Sequence, residues 1–293
     1  MLGAGGGLMT PEISEFSYGF ALTNEIVGWA PILAAPLFPS LIEEGKAGGG
    51  YDVALSLPGI ALYLQFKRAD CMVTARAREI FDYGLPITLP FYRFKITESG
   101  KSDQHELLLA LAETNNPVFY AAPRFHELSE INDAWNSNRV ADRSIFVSPQ
   151  SVGQLDDESH HISYDETNAW LCSEPTRMEF LMGAGLLEKL QARLASDPRP
   201  LREKLPEIVR SSEDAKRRAY ERIAARRGES QHFGMEFSKV ISRSEPRETE
   251  REIPLRSPRD LSVSERVLRN LSDDAARIFN AQLLVIQPRS TVE

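Results

Sequence analysis

Apolar and polar residues alternate most cleanly over residues 50–67, GYDVALSLPGIALYLQFK, which predicts two strands joined by a Pro-Gly turn. Successive side chains on a strand point to opposite faces. Val53, Leu55 and Leu57 share a face on the first strand, and Ile60, Leu62, Leu64 and Phe66 share one on the second. The opposite face carries Asp52, Ala54, Ser56, Ala61, Tyr63, Gln65 and Lys67. A turn centred on Pro58-Gly59 puts Asp52 directly opposite Gln65, with Lys67 the next residue along that face. Opposed Cβ atoms in an antiparallel pair lie about 4.5–5.5 Å apart.

The rest of the chain is read in the same way. Residues 15–29 carry a rough helical stripe of Phe16, Phe20, Ile26 and Val27, weakened by Gly19. Pro31, Pro36 and Pro39 restrict the following stretch to loop, with one helical turn over 41–45. A helical segment is predicted at 75–81 and a third strand at 91–96, FYRFKI. Residues 103–114 read as a helix capped by Ser102 or Asp103, and 118–121 as a short strand buried on both faces. A helix over 124–138, strands at 144–147 and 162–164, and a last helix over 264–281 complete the reading. Dense mixed charge and three prolines make 243–259 a linker.

The chain has 293 residues, 42% apolar and 26% charged, an ordinary composition for a soluble globular protein of one or two domains. Cys71 and Cys172 form neither a zinc spacing nor a disulfide framework, so a reducing, cytoplasmic setting is expected. The longest uncharged run, 26–42, is proline-broken and short for a membrane span, and the N-terminus lacks the features of a signal peptide. No membrane partner is expected. Charge divides the chain: residues 1–183 hold 12 Lys and Arg against 24 Asp and Glu, whereas 184–293 hold 22 against 18. Two regions are therefore predicted, an α/β domain over 10–183 and a helical, Arg-rich region over 184–293.

The convergence of the Asp52 carboxylate, the Gln65 amide oxygen and the Lys67 ammonium suits a divalent metal. Mg²⁺ takes hard oxygen ligands, which Asp52 and Gln65 supply, and Lys67 would position the attacking water or stabilise charge on a phosphate. Gly50-Tyr51-Asp52 followed by Gln65-Phe66-Lys67, in the order helix, hairpin, third strand, helix, strand, resembles the PD-(D/E)XK nuclease superfamily. The match looks closest to the Mrr-like restriction endonucleases, in which a Gln-X-Lys strand follows a Gly-Tyr/Gly-Asp strand. The resemblance covers about residues 12–125. It implies a mixed central sheet in an αβββαβ core and a Mg²⁺-dependent DNA endonuclease, with Mn²⁺ as a substitute metal. Glu25 on the first helix would complete the site, with Glu43 or Glu44 as substitutes. It also implies a role in bacterial restriction or antiphage defence, and a catalytically inactive nuclease-fold subunit is the alternative. No phosphate-binding loop is present in the sequence, so a separate ATPase or sensor subunit, and a homo-oligomer, are the expected partners besides DNA.

Other candidates are weighed beside this one. Gln104 opens its helix where related nucleases carry a glutamine that faces the metal or the scissile phosphate; an exposed first-turn residue is the plainer reading. Lys216, Arg217, Arg218, Arg222, Arg226 and Arg227 recur at helical spacing and would form a positive ridge. The ridge either tracks a DNA backbone or packs as a structural face, with the acidic N-terminal part of the same chain as one partner. His126, His160 and His161 lack metal-ligand spacing, and without a Gly-X-Ser-X-Gly turn no Ser-His-Asp arrangement is predicted.

Overall fold

The computed structural model describes residues 7–37, 53–98, 100–156, 158–228 and 263–289. In chain order its strands are β1 (Leu8–Met9), β2 (Ile32–Leu37), β3 (Ile60–Phe66), β4 (Asp70–Met72), β5 (Phe91–Ile96), β6 (Val118–Pro123), β7 (Ser144–Val147), β8 (His160–Tyr164), β9 (Ala169–Leu171), β10 (Thr176–Arg177) and β11 (Gln282–Pro288). The helices are α1 (Glu15–Val27), α2 (Arg78–Phe81), α3 (Gln104–Glu113), α4 (Leu128–Asn136), α5 (Pro149–Val152), α6 (Gly183–Ser196), α7 (Leu201–Arg227) and α8 (Val263–Arg277). The α/β class expected from the alternating strands and helices holds.

Two sheets organise these elements. One runs β2-β11-β3-β6-β7 and the other β1-β4-β5-β8-β9-β10. In the five-stranded sheet β3 is parallel to β6 and antiparallel to β11, and β11 is also antiparallel to β2. The parity sorting of β3 is correct: Ile60, Leu62 and Leu64 pack with α1 and α6, while Ala61 and Tyr63 pack with α3, α7 and α8 on the other side. Both faces of β3 are therefore buried, where an antiparallel hairpin on a one-sided sheet would have exposed one of them. Gly19 of α1 is needed for this packing, because a Cβ there would lie 2.5 Å from the Phe66 ring. The residue that weakens the helix by propensity is the one that lets it reach the sheet.

The predicted hairpin does not form. Residues 53–57 are not a strand; Leu57 O and Leu55 O accept from the backbone N–H groups of Leu201 and Arg202, and Pro58 bridges to Pro200. The edge of β3 that the hairpin would have used is filled by β11, whose Leu283–Ile286 run is buried throughout. Asp52, Glu43 and Glu44 lie outside the described residues.

Three further expectations change. The loop read through Pro31 and Pro36 contains β2; as the outer strand of its sheet, β2 tolerates a proline that cannot donate to a ladder. The third strand, 91–96, forms as β5 but joins the six-stranded sheet, not the sheet of β3. The region 184–293 is not set apart, because β11 lies between β2 and β3 of the N-terminal part. Among the described residues no helix is long and apolar enough to cross a membrane.

Candidate functional site

β3 and β6 run in parallel, so their C-terminal ends open at the same edge, the usual location of ligand sites in sheets of this kind. Gln65 is in register with Tyr120, and Lys67 continues the pairing by donating its N–H to Ala121 O at 2.8 Å. By strand parity Gln65, Lys67 and Tyr120 share one face. Gln65 is buried, and its Oε1 has no hydrogen-bond partner. Buried amide oxygens are rarely left in this state.

The Lys67 ammonium lies 5.5 Å from the centre of the Tyr120 ring, within cation–π range. Burial pulls its pKa below the ordinary lysine range, and the negative charge of Glu15 opposes that shift. Glu15 begins α1, and its carboxylate accepts from the Arg68 N–H at 3.3 Å, which ties the start of the helix to the end of β3. Beneath Lys67 the Tyr120 ring is fixed from behind. His105 Nε2 lies 2.7 Å from Gly153 O, and Nδ1 lies 2.7 Å from the Tyr120 hydroxyl. A carbonyl only accepts, so the ring proton is on Nε2 and Tyr120 donates to Nδ1. Burial lowers the His105 pKa, although the Gly153 bond opposes it, which fits a neutral ring.

The other predicted residues go elsewhere. Glu25 does not reach this edge: its carboxylate accepts from Val140 N at 2.6 Å and Ala141 N at 3.1 Å. It lies ten residues beyond Glu15, about 15 Å along the helix. Burial raises its pKa, against the pull of these two N–H groups. Gln104 starts α3 with its Nε2 buried and without a partner. The basic ridge is turned largely inward. Arg222 pairs with Glu106 at 2.9 Å and with Glu113, Arg226 pairs with Glu106 at 3.1 Å, and Arg227 pairs with Asp103 at 2.8 Å. Lys216 pairs with Asp274 at 2.8 Å, whereas Arg217 pairs with Asp214 on the surface and Arg218 donates to Asp214 O. Of the two readings of the ridge, packing against the acidic face of α3 is the arrangement present.

No family model, curated protein or solved structure matches the chain.

Among the described residues no group of three or more His, Cys, Asp or Glu is placed to hold a metal ion. Among the described residues, oxygens near the end of β3 include the Gln65 amide and, from α1, the Glu15 carboxylate. An unpartnered buried amide oxygen fits a hard cation as one neutral ligand. Glu15, Tyr120 and His105 were not singled out as partners of this lysine by sequence reasoning. Tyr120 comes alongside through a parallel pairing across 55 positions, which no local pattern encodes. Glu15 had one signal, as the first acid of a helix whose position on the sheet was unknown.

Proposed function

We propose that the chain is a Mg²⁺-dependent nuclease that hydrolyses phosphodiester bonds in DNA, with Gln65 and Lys67 at the end of β3 as its working pair. The observation that carries this reading is the Gln65 amide oxygen, buried without a partner on the same face as a lysine whose pKa is lowered by burial. Gln65 would hold the metal through Oε1, and the Glu15 carboxylate would supply the anionic ligand; the hairpin that set Asp52 opposite Gln65 is not formed, and Ala54 is tied to Gln287 beside the start of β3. A bound divalent ion supplies Lewis acidity and lowers the pKa of the attacking water. Lys67 orients that water or meets the charge developing on the phosphate oxygens, and its partial burial strengthens either interaction. Tyr120 and His105 hold the ring over which the ammonium rests.

Glu15 takes the place given to Glu25 in the resemblance. Its carboxylate accepts from the N–H of Arg68, next to Lys67 in the chain, and its negative charge favours the charged amine. Arg222, Arg226 and Arg227 of α7 have no part in the proposed DNA contact, since their charge is met within the chain.

A second reading, a non-catalytic subunit that binds a partner protein, is favoured by the exposed aromatic side chains of α1. Phe16 is 83% exposed and Phe20 61% exposed, and Phe20 stacks on Trp135 with ring centres 5.7 Å apart. Incubating supercoiled plasmid with the protein and Mg²⁺ or Mn²⁺, beside Glu15→Gln and Lys67→Ala, separates the two. The nuclease reading predicts nicking that both substitutions reduce by at least about 10²-fold. Wild type as inert as the variants supports the subunit reading.

A further inference from the structure

His105 and His160 are each held at both ring nitrogens, and of the two only His160 has a carboxylate as one partner. His105 faces a neutral carbonyl and the hydroxyl of buried Tyr120. His160 lies between Asp156 Oδ1, 2.8 Å from Nε2, and Ser173 Oγ, 2.6 Å from Nδ1. The β8–β9 register pairs Ile162 with Leu171, Ser163 with Trp170 and Tyr164 with Ala169. The bond from Cys172 N to His161 O extends that ladder, so Ser173 falls opposite His160. Two positions of this group are thus set by the sheet, and Asp156 closes it from the loop before β8.

The charge pattern fixes the direction of the bonds. Backbone donation from Glu158 and the contact with His160 outweigh burial and hold Asp156 below the usual carboxylate range. An ionised Asp156 only accepts, so the His160 proton is on Nε2 and the Nδ1 lone pair faces the Ser173 hydroxyl. This is the charge arrangement of a serine–histidine–aspartate hydrolase with the two ring nitrogens exchanged. The imidazole is buried, while Ser173 is exposed on the turn between β9 and β10.

We propose that Ser173 is a nucleophile, served by His160 as general base and Asp156 as positioning residue, that accepts acyl groups from small, unhindered esters. Ser173 Oγ bonds to the acyl carbon while its proton passes to His160 Nδ1. The ester C–O bond breaks, and the departing oxygen takes that proton and leaves as the alcohol. Water then attacks acyl-Ser173 with His160 again taking the proton; the acid departs and the hydroxyl is restored. The exposed turn admits the carbonyl but offers little to grip a large substrate, so activated acetyl esters are the fitting class. The step needs no metal and is independent of the reading at Gln65 and Lys67.

The test uses the full chain in EDTA, with a fluorophosphonate and with p-nitrophenyl acetate as probes. The expected result is a phosphonyl adduct mapped to Ser173 and hydrolysis that falls by about 10²–10⁴-fold in Ser173→Ala and His160→Gln. Both variants should keep the wild-type circular dichroism. Asp156→Asn removes the acceptor that holds the His160 proton on Nε2, so kcat for p-nitrophenyl acetate should fall by about 10²-fold or more with KM unchanged; an unchanged kcat overturns the role of Asp156. No adduct on the wild type, or adduct and hydrolysis undiminished in Ser173→Ala, overturns the proposal.

Discussion

At Gln65 the stability of the chain and the function proposed for it point in opposite directions. The side chain is 2% exposed and its Oε1 has no partner, so desolvating it costs free energy that nothing within the described residues returns. Gln65→Leu, of similar size and without the polar group, is predicted to raise stability by about 1 kcal/mol in urea unfolding, while plasmid nicking is lost. A destabilised variant would mean that the amide is satisfied and structural. Parity in the sequence identified the face on which Gln65 and Lys67 lie, because a strand's period is independent of its neighbours. It could not identify the surroundings of that face. A polar face on a hairpin implies water, whereas here the same face meets α3, α7 and α8. Which acid of the first helix comes to this end of β3 was illegible for a related reason. Glu15 and Glu25 occupy the same helix, and only the docking of α1 on Phe66 decides which end meets Lys67.

At the scale of elements, α7 is held to α3 by apolar contact from Ala215, Ala219 and Ile223 and by the arginines of its last turns. Glu106 is 3% exposed and faces Arg222 and Arg226 together. Arg222→Ala removes the residue that serves both Glu106 and Glu113, and a loss of about 1–3 kcal/mol is predicted in urea unfolding. Arg217→Ala, at a surface pair with Asp214, should change stability by no more than about 0.5 kcal/mol. Equal effects of the two would deny that the inward ridge secures the helix. The helices and β5–β8 were largely legible because period and capping are local properties. β2 and β11 were not. Proline obscured β2, whose place at the outside of the sheet excuses it, and the Leu283–Ile286 run is too short to distinguish from helix by period alone.

Over the whole molecule, the charge asymmetry suggested two regions, but β11 joins them. It contributes pairing to both β2 and β3, and Leu284 and Ile286 pack on one face of the sheet while Leu283 and Val285 pack on the other. Composition reports where charges lie along the chain and is blind to a final strand that returns to the middle of a sheet. A chain ending at residue 281 is predicted to lose the cooperative thermal transition followed by circular dichroism; an N-terminal part that melts cooperatively without β11 would restore the two-region division. The candidate site depends on the same closure, since Glu15, Gln65 and Tyr120 come from α1, β3 and β6 and meet only in the finished sheet. The most direct test of that site is Mn²⁺ binding to the intact chain, read from the free-ion electron paramagnetic resonance signal. Stoichiometric binding that weakens by roughly tenfold or more in both Gln65→Leu and Glu15→Gln is the predicted result; equal binding by all three proteins, or none by the wild type, would contradict it.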